Sequence, residues 1–137
     1  MLTVHAIRAI QFGALVALLA VAFGAFGAHA LKEYLDAYSR GVFQTAVTYQ
    51  MYHALALLSL GPLLALCSSH RAQWWLVLSR NAFLFGIVFF CGSLYLLSFS
   101  GLKAFGAITP IGGVAFLLGW VAMLVALTIQ LKEQNVT

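Results

Sequence analysis

A chain of 137 residues that is 64% hydrophobic and 7% charged lies far outside the range of soluble domains, which are about half apolar and about a quarter charged. Its length accommodates about four spans of the roughly 20 apolar residues that a helix needs to cross a bilayer, with short loops and no soluble domain attached. The net charge of +4 is spread singly over Arg8, Lys32, Arg40, Arg71, Arg80, Lys103 and Lys132, so no basic patch exists, nucleic acid is not an expected partner, and membrane anchoring explains the charges.

The expected fold is all-α: one integral membrane domain built as an antiparallel bundle of four transmembrane helices. The first span covers about 10–30. Arg8, the apolar run and the triplet Ala28-His29-Ala30 imitate a signal peptide with its A-x-A site, but the run is as long as a full span and reads as a retained helix. Ala20, Gly24 and Ala28 recur every fourth position, a small-residue spacing that lets a neighbouring helix approach closely. Leu31 to Gly41 carries Lys32, Glu33, Asp36 and Arg40, with Leu31, Tyr34, Leu35 and Tyr38 at helical spacing, which predicts an interfacial turn.

The second span, about 42–66, changes character along its length. Gln44, Thr45, Thr48, Tyr49, Gln50, Tyr52 and His53 fill its first half; the rest is plain hydrocarbon, ending near Gly61-Pro62, where proline favours a kink. A loop from Cys67 to Arg80 follows, in which Trp74-Trp75 fits headgroup level. The third span covers about 81–100, Gly101-Leu-Lys103 forms a tight turn, and the fourth covers about 108–131. There Thr109-Pro110 reads as an N-cap with proline at the first helical position, and Gly112, Gly113 and Gly119 place small residues on the packing side. No internal repeat supports an inverted-repeat transporter. Cys67 and Cys91 have no metal-ligand spacing and read as buried packing residues.

Polar side chains at membrane depth need partners, so His29, Gln44, Thr45, Thr48, Tyr49, Gln50, Tyr52 and His53 form the candidate ligand-binding or structural cluster. If the hairpin turns at Ser39-Arg40-Gly41, His29 and His53 lie at similar depth. Facing imidazoles can ligate haem, and with Tyr49 and Gln50 they can relay protons or hold a quinone; the simpler reading is hydrogen bonding that locks helix packing, with no metal and no cofactor. The glycines form no phosphate loop, since Gly24-Ala-Phe-Gly27 lies in an apolar helix without a following P-loop lysine. Glu33, Asp36 and Glu133 all fall in loops or termini, so paired-carboxylate catalysis has no material within the membrane and no enzyme is expected.

Phe23-Gly-Ala-Phe-Gly-Ala-His29-Ala-Leu-Lys32, Phe43-Gln-Thr-Ala-Val-Thr-Tyr-Gln-Met-Tyr-His53, Gly92-Ser-Leu-Tyr-Leu and Gly106-Ala-Ile-Thr-Pro-Ile-Gly-Gly-Val-Ala-Phe together resemble the YgdD-like family of small multi-pass inner-membrane proteins, the domain-of-unknown-function four-two-three family. Ala30 stands where that pattern has glycine, and Gln44 where glutamate is common, which removes an intramembrane acid. The resemblance implies a bacterial inner-membrane location and four helices, with no established catalytic residues to carry over. With four spans both termini share one face. Arg8, Arg71, Arg80 and Lys132 on that face against Lys32, Arg40 and Lys103 on the other place the termini in the cytoplasm by one charge. The expected role is a non-enzymatic accessory or interaction subunit of a membrane complex, as a homo-oligomer or with a membrane-protein partner. The alternatives are an intramembrane quinone or haem module at His29 and His53, and a permeation protein after oligomerisation.

Overall fold

The computed structural model describes residues 2–135. Helix α1 is Val4–His29, opened by Thr3, whose hydroxyl accepts from the Ala6 N–H at 3.2 Å. Helix α2 is Ala37–Leu66, with Asp36 as its cap; the carboxylate accepts from the Ser39 N–H at 2.7 Å. Ser69 caps α3, His70–Gly86, which continues through a π-helical turn at Ile87–Cys91 into α4, Gly92–Ser100. Gly101 ends that helix in the left-handed region at φ 67° and returns its N–H to the Leu97 carbonyl at 2.9 Å, a position where only glycine is unstrained. Helix α5 is Lys103–Gln134.

Four helical spans result, with α3, the π turn and α4 forming one of 31 residues, His70–Ser100. At 1.5 Å per residue the four are about 39–48 Å long, longer than the roughly 30 Å hydrocarbon core, an excess that tilt or extension into the headgroups takes up. The helices reach beyond the expected spans at their starts. The first span starts at Val4, the second at Ala37, the third at His70 and the fourth at Lys103, because caps such as Asp36 and Ser69 start a helix in the polar region before its apolar run begins. The segment expected as a loop from Cys67 to Arg80 is therefore helical from His70, with Trp74 and Trp75 on its early turns. Thr109-Pro110 is likewise no N-terminus but lies inside α5. Proline removes one donor and crowds the carbonyl four residues back, which here is that of Gly106. Pro62 is also accommodated inside α2.

The spans pair as α1 on α2 and the His70–Ser100 span on α5, with α2 also reaching the π turn and α4. The α1 face that meets α2 is Ala6, Ala9, Gly13, Val16 and Ala20, all buried. A Cβ on Gly13 would lie 2.8 Å from Leu58, so the two backbones are in close approach there. The expected Ala20, Gly24 and Ala28 stripe follows this contact only in part: Ala20 is buried, Gly24 faces Val47, and Ala28 is exposed. Four-residue steps drift by about 40° on an α-helix, whereas alternating steps of three and four stay on one seam. In the second pair, Gly112 faces the Phe90 backbone, Gly86 faces Phe116 and Gly119 faces Phe83, and a Cβ on Gly113 would lie 3.7 Å from the Phe90 ring.

Candidate functional site

The register of the α1–α2 hairpin decides which polar residues can meet. Gly27 faces Phe43, Gly24 faces Val47, Gly13 faces Leu58 and Gly61 faces Ile10, so His29 pairs in depth with the first turns of α2 and His53 with the middle of α1. The two imidazoles are about 11 residues apart along the bundle, roughly 16 Å at helical rise. The expectation of similar depth fails because the chain reverses at Ala30–Asp36, several residues before Ser39-Arg40-Gly41. His29 is exposed and bonds only the Ala25 carbonyl one turn back, at 3.0 Å. Two imidazoles so placed cannot share one iron.

His53 is 4% exposed and lies in a cage of aromatic rings. Its imidazole stacks on Phe116 with centroids 3.5 Å apart and planes 9° apart, with Phe83 at 5.4 Å and Trp120 at 6.0 Å. Nδ1 donates to the Tyr49 carbonyl at 2.8 Å, and the Trp120 indole N–H donates to Nε2 at 3.3 Å. One nitrogen donating and the other accepting is the pattern of neutral imidazole in its Nδ1–H tautomer. Both ring nitrogens are thereby occupied, and α2 is bound to α5 through a single side chain.

Gln50, also 4% exposed, sits about one turn away and does the same for α1 and α4. Its Nε2 donates to the Val16 carbonyl at 3.0 Å, while its Oε1 accepts from the Tyr95 hydroxyl at 2.7 Å. The Tyr95 ring is in turn held edge-on by Phe23 at 5.1 Å and against Phe43 at 5.0 Å. Smaller hydroxyl links complete the framework: Ser79 donates to the Gly119 carbonyl at 2.7 Å, and Ser93 pairs with Thr109 at 2.8 Å. At the end carrying the chain termini, Gln130 accepts from the Ser69 N–H at 3.0 Å and donates to Ser68 at 3.1 Å.

The rest of the expected cluster turns outward. Gln44 and Thr45 are exposed, Thr48 is half-buried, and Tyr49 and Tyr52 are 41% and 60% exposed. Gln44 bonds Thr48, and Thr45 returns its hydroxyl to the Gly41 carbonyl at 2.9 Å. The polar half of α2 thus has two faces, one knitted into the bundle through Gln50 and His53 and one presented to the surroundings. Trp120, Tyr95, Phe116 and Phe83 complete the inner face and were not singled out by the sequence; a Trp N–H and a Tyr O–H inside apolar spans are themselves signals that a partner is needed. Cys67 and Cys91 are free and buried, and among the described residues no three His, Cys, Asp or Glu side chains gather as a metal site.

The model of a protein family of unknown function, DUF423, matches residues 23–113, which include Gln50, His53 and Tyr95. The chain belongs to the DUF423 family. Curated relatives extend the likeness over most of the chain: a UPF0382 membrane protein of Staphylococcus saprophyticus is 47% identical over 85% of this chain and 92% of its own length. The UPF0382 inner membrane protein YgdD of Escherichia coli is 41% identical over 92% of each. No solved structure matches. This DUF423 chain is accordingly a small multi-pass membrane protein with four membrane-spanning helices.

Proposed function

We propose that the protein is a non-enzymatic accessory or interaction subunit that docks other protein within the bilayer through the outer face of α2. One observation carries this reading. Gly41, Thr45, Thr48, Tyr52, Leu55 and Ser59 follow one another at alternating steps of four and three, the spacing of a continuous helix-packing seam, yet every one is exposed or half-buried, and a Cβ on Gly41 would meet nothing. Small and hydroxyl-bearing residues are what membrane helices use to approach one another, since lipid supplies no hydrophobic drive for association. A seam of this kind facing hydrocarbon leaves Tyr52 and Thr48 with poorer company than a second helix would give.

The inner polar residues support the same reading, because His53 and Gln50 spend their hydrogen-bonding capacity on bundle contacts rather than presenting it to a substrate. The termini are proposed to lie in the cytoplasm, from the one-charge basic excess of the sequence, which reporter fusions at either end would test. The docking face is tested by placing cysteine at Thr48 and separately at Leu127 of α5, then oxidising native membranes. Cross-linking from position 48 to a second copy or another membrane protein, and none from position 127, is expected. A chain that stays monomeric in the bilayer with no co-purifying protein, or that conducts solute in liposomes in a His53-dependent way, overturns the reading.

A further inference from the structure

The reversal that joins α1 to α2 closes around a hollow of about 440 Å³. Gly27 and Ala28 of α1, Lys32 of the reversal, and Arg40, Gly41 and Gln44 of α2 border it. The space exists because Ala28, Ala37 and Gly41 carry little or no side chain, and a Cβ on Gly41 would meet nothing. Its apolar side is Leu31 and Phe43, both buried, and the Phe43 ring occupies the place that a Gly27 side chain would take. Tyr34 and Tyr38, exposed in the reversal and on the first turn of α2, set this end of the bundle at headgroup level, where such rings collect.

Two cations border the hollow, Lys32 before the cap of α2 and Arg40 just after it, and among the described residues no carboxylate does. Neither cationic side chain makes an ion pair or a hydrogen bond with a described residue. The Asp36 carboxylate accepts from the Ser39 N–H at 2.7 Å, with Arg40 a minor influence on it, and Glu33 is exposed outside the hollow. Gln44 lies one turn beyond Arg40 on the same face of α2. Its amide donates one N–H to Thr48 at 3.4 Å and keeps another. Membrane anchoring accounts for a cation at each helix end, but not for two that share one cavity with an amide.

We propose that this hollow binds a phosphate group, held between the Lys32 ammonium and the Arg40 guanidinium with the Gln44 amide as a further donor. A phosphate presents oxygens in several directions and accepts from a planar fork and a point-like ammonium at once, whereas the two oxygens of a carboxylate are matched by the fork alone. The start of α2 contributes little by itself, because Asp36 already takes the Ser39 N–H. The phosphate belongs either to a lipid headgroup or to a soluble phosphate ester. In the lipid case the depths agree: Lys32 and Arg40 lie at the outer rim, Phe43 and Gln44 lie about one turn further in, and the acyl chains run from the rim toward the middle of the bilayer.

The test is native mass spectrometry of the full chain in neutral detergent, offered equal amounts of dioctanoyl phosphatidylglycerol and of dioctanoylglycerol, which has the same chains and no phosphate. One cation near a membrane surface contributes roughly a fivefold preference for an anionic headgroup, so two give roughly 25-fold. The wild type should show a preference of that order, Lys32→Gln and Arg40→Gln should each lower it about fivefold, and Arg40→Lys should retain part of it. Arg71→Gln, on the first turn of α3 at the other end of the bundle, should leave it unchanged. Lys32 and Arg40 are exposed, so their substitution keeps the fold, checked by helical circular dichroism. Adding millimolar glycerol 3-phosphate separates the two sources: displacement of the lipid identifies a soluble phosphate ester, retention identifies the headgroup, and both uphold the site. Equal binding of the two lipids, a preference unchanged in Lys32→Gln or in Arg40→Gln, or an equal loss in Arg71→Gln overturns the proposal.

Discussion

Gln50 carries more of the architecture than any other single polar side chain, because one amide spans three helices: it donates to α1 and accepts from α4. Replacing it with leucine keeps the volume while orphaning the Tyr95 hydroxyl and the second lone pair of the Val16 carbonyl. Hydrogen bonds between membrane helices average about 0.6 kcal/mol and reach about 1.7, so Gln50→Leu should cost roughly 1–2 kcal/mol in detergent unfolding. Tyr95→Phe in the same background should then cost less than it does alone, since its partner is already gone; additive losses would deny the link. Gln50 and His53 stood out in the sequence as members of the polar first half of a span of membrane length, though not as the two that turn inward. Their partners were not legible, since Trp120 and Tyr95 lie 67 and 45 residues away and nothing local fixes such contacts. His29 illustrates the opposite outcome: near a helix end it meets its own backbone and the surroundings, so a polar residue in an apolar run did not mark an interior site.

Among the helices, apolar length foretold existence and number, while ends and faces depended on finer chemistry. The four spans follow from apolar length, but Ser69 and Asp36 open their helices in the polar zone, where an apolar run gives no signal. The π turn at Ile87–Cys91 has no sequence mark either; it is seen only where the Phe90 backbone comes up against Gly112. That contact makes a sharp comparison between two glycines. Gly112→Ala drives a methyl into backbone and should cost about 1–3 kcal/mol, as overpacking does, whereas Gly41→Ala meets open space and should gain up to about 1 kcal/mol from helix propensity in the solubilised monomer. Thermal unfolding of the two variants checks the contrast, and equal effects would place the close approach elsewhere. The Asp36 cap adds a pH dependence. Its hydrogen bonds from Ser39 hold the carboxyl below its ordinary value of 3.8, against a small opposing effect of burial. A carboxyl lowered in the folded state contributes stability above its unfolded pKa, and that contribution is lost as pH falls through the folded one. Amide exchange at Ser39 should therefore quicken relative to the middle of α2 as the medium is acidified below the ordinary carboxylate range, and Asp36→Asn should remove the dependence.

At the scale of the molecule, the bundle is two antiparallel pairs fastened across by His53 on Trp120 and Gln50 on Tyr95. The second helix stands between the pairs and is the most enclosed, and it is also the least oily: the best window of α2 has mean hydropathy 1.2, against 2.2, 2.1 and 2.3 for the other spans. Those two facts have a consequence in time rather than in space. During synthesis α2 reaches the membrane after α1 and before α3 to α5, so its Gln50 can find the Val16 carbonyl, but the Phe83, Phe116 and Trp120 rings that later surround His53 have not yet been made. Entry of α2 into the bilayer thus leans on the helix ahead of it, and the nascent chain should pass its threshold as a hairpin. Placed alone in a glycosylation-mapping insertion assay, α2 should enter inefficiently, and fusing α1 ahead of it should raise the inserted fraction. Substituting Gly13 with leucine, which blocks the close approach of the two backbones, should remove most of that gain, and full insertion of isolated α2 would show that it needs no escort.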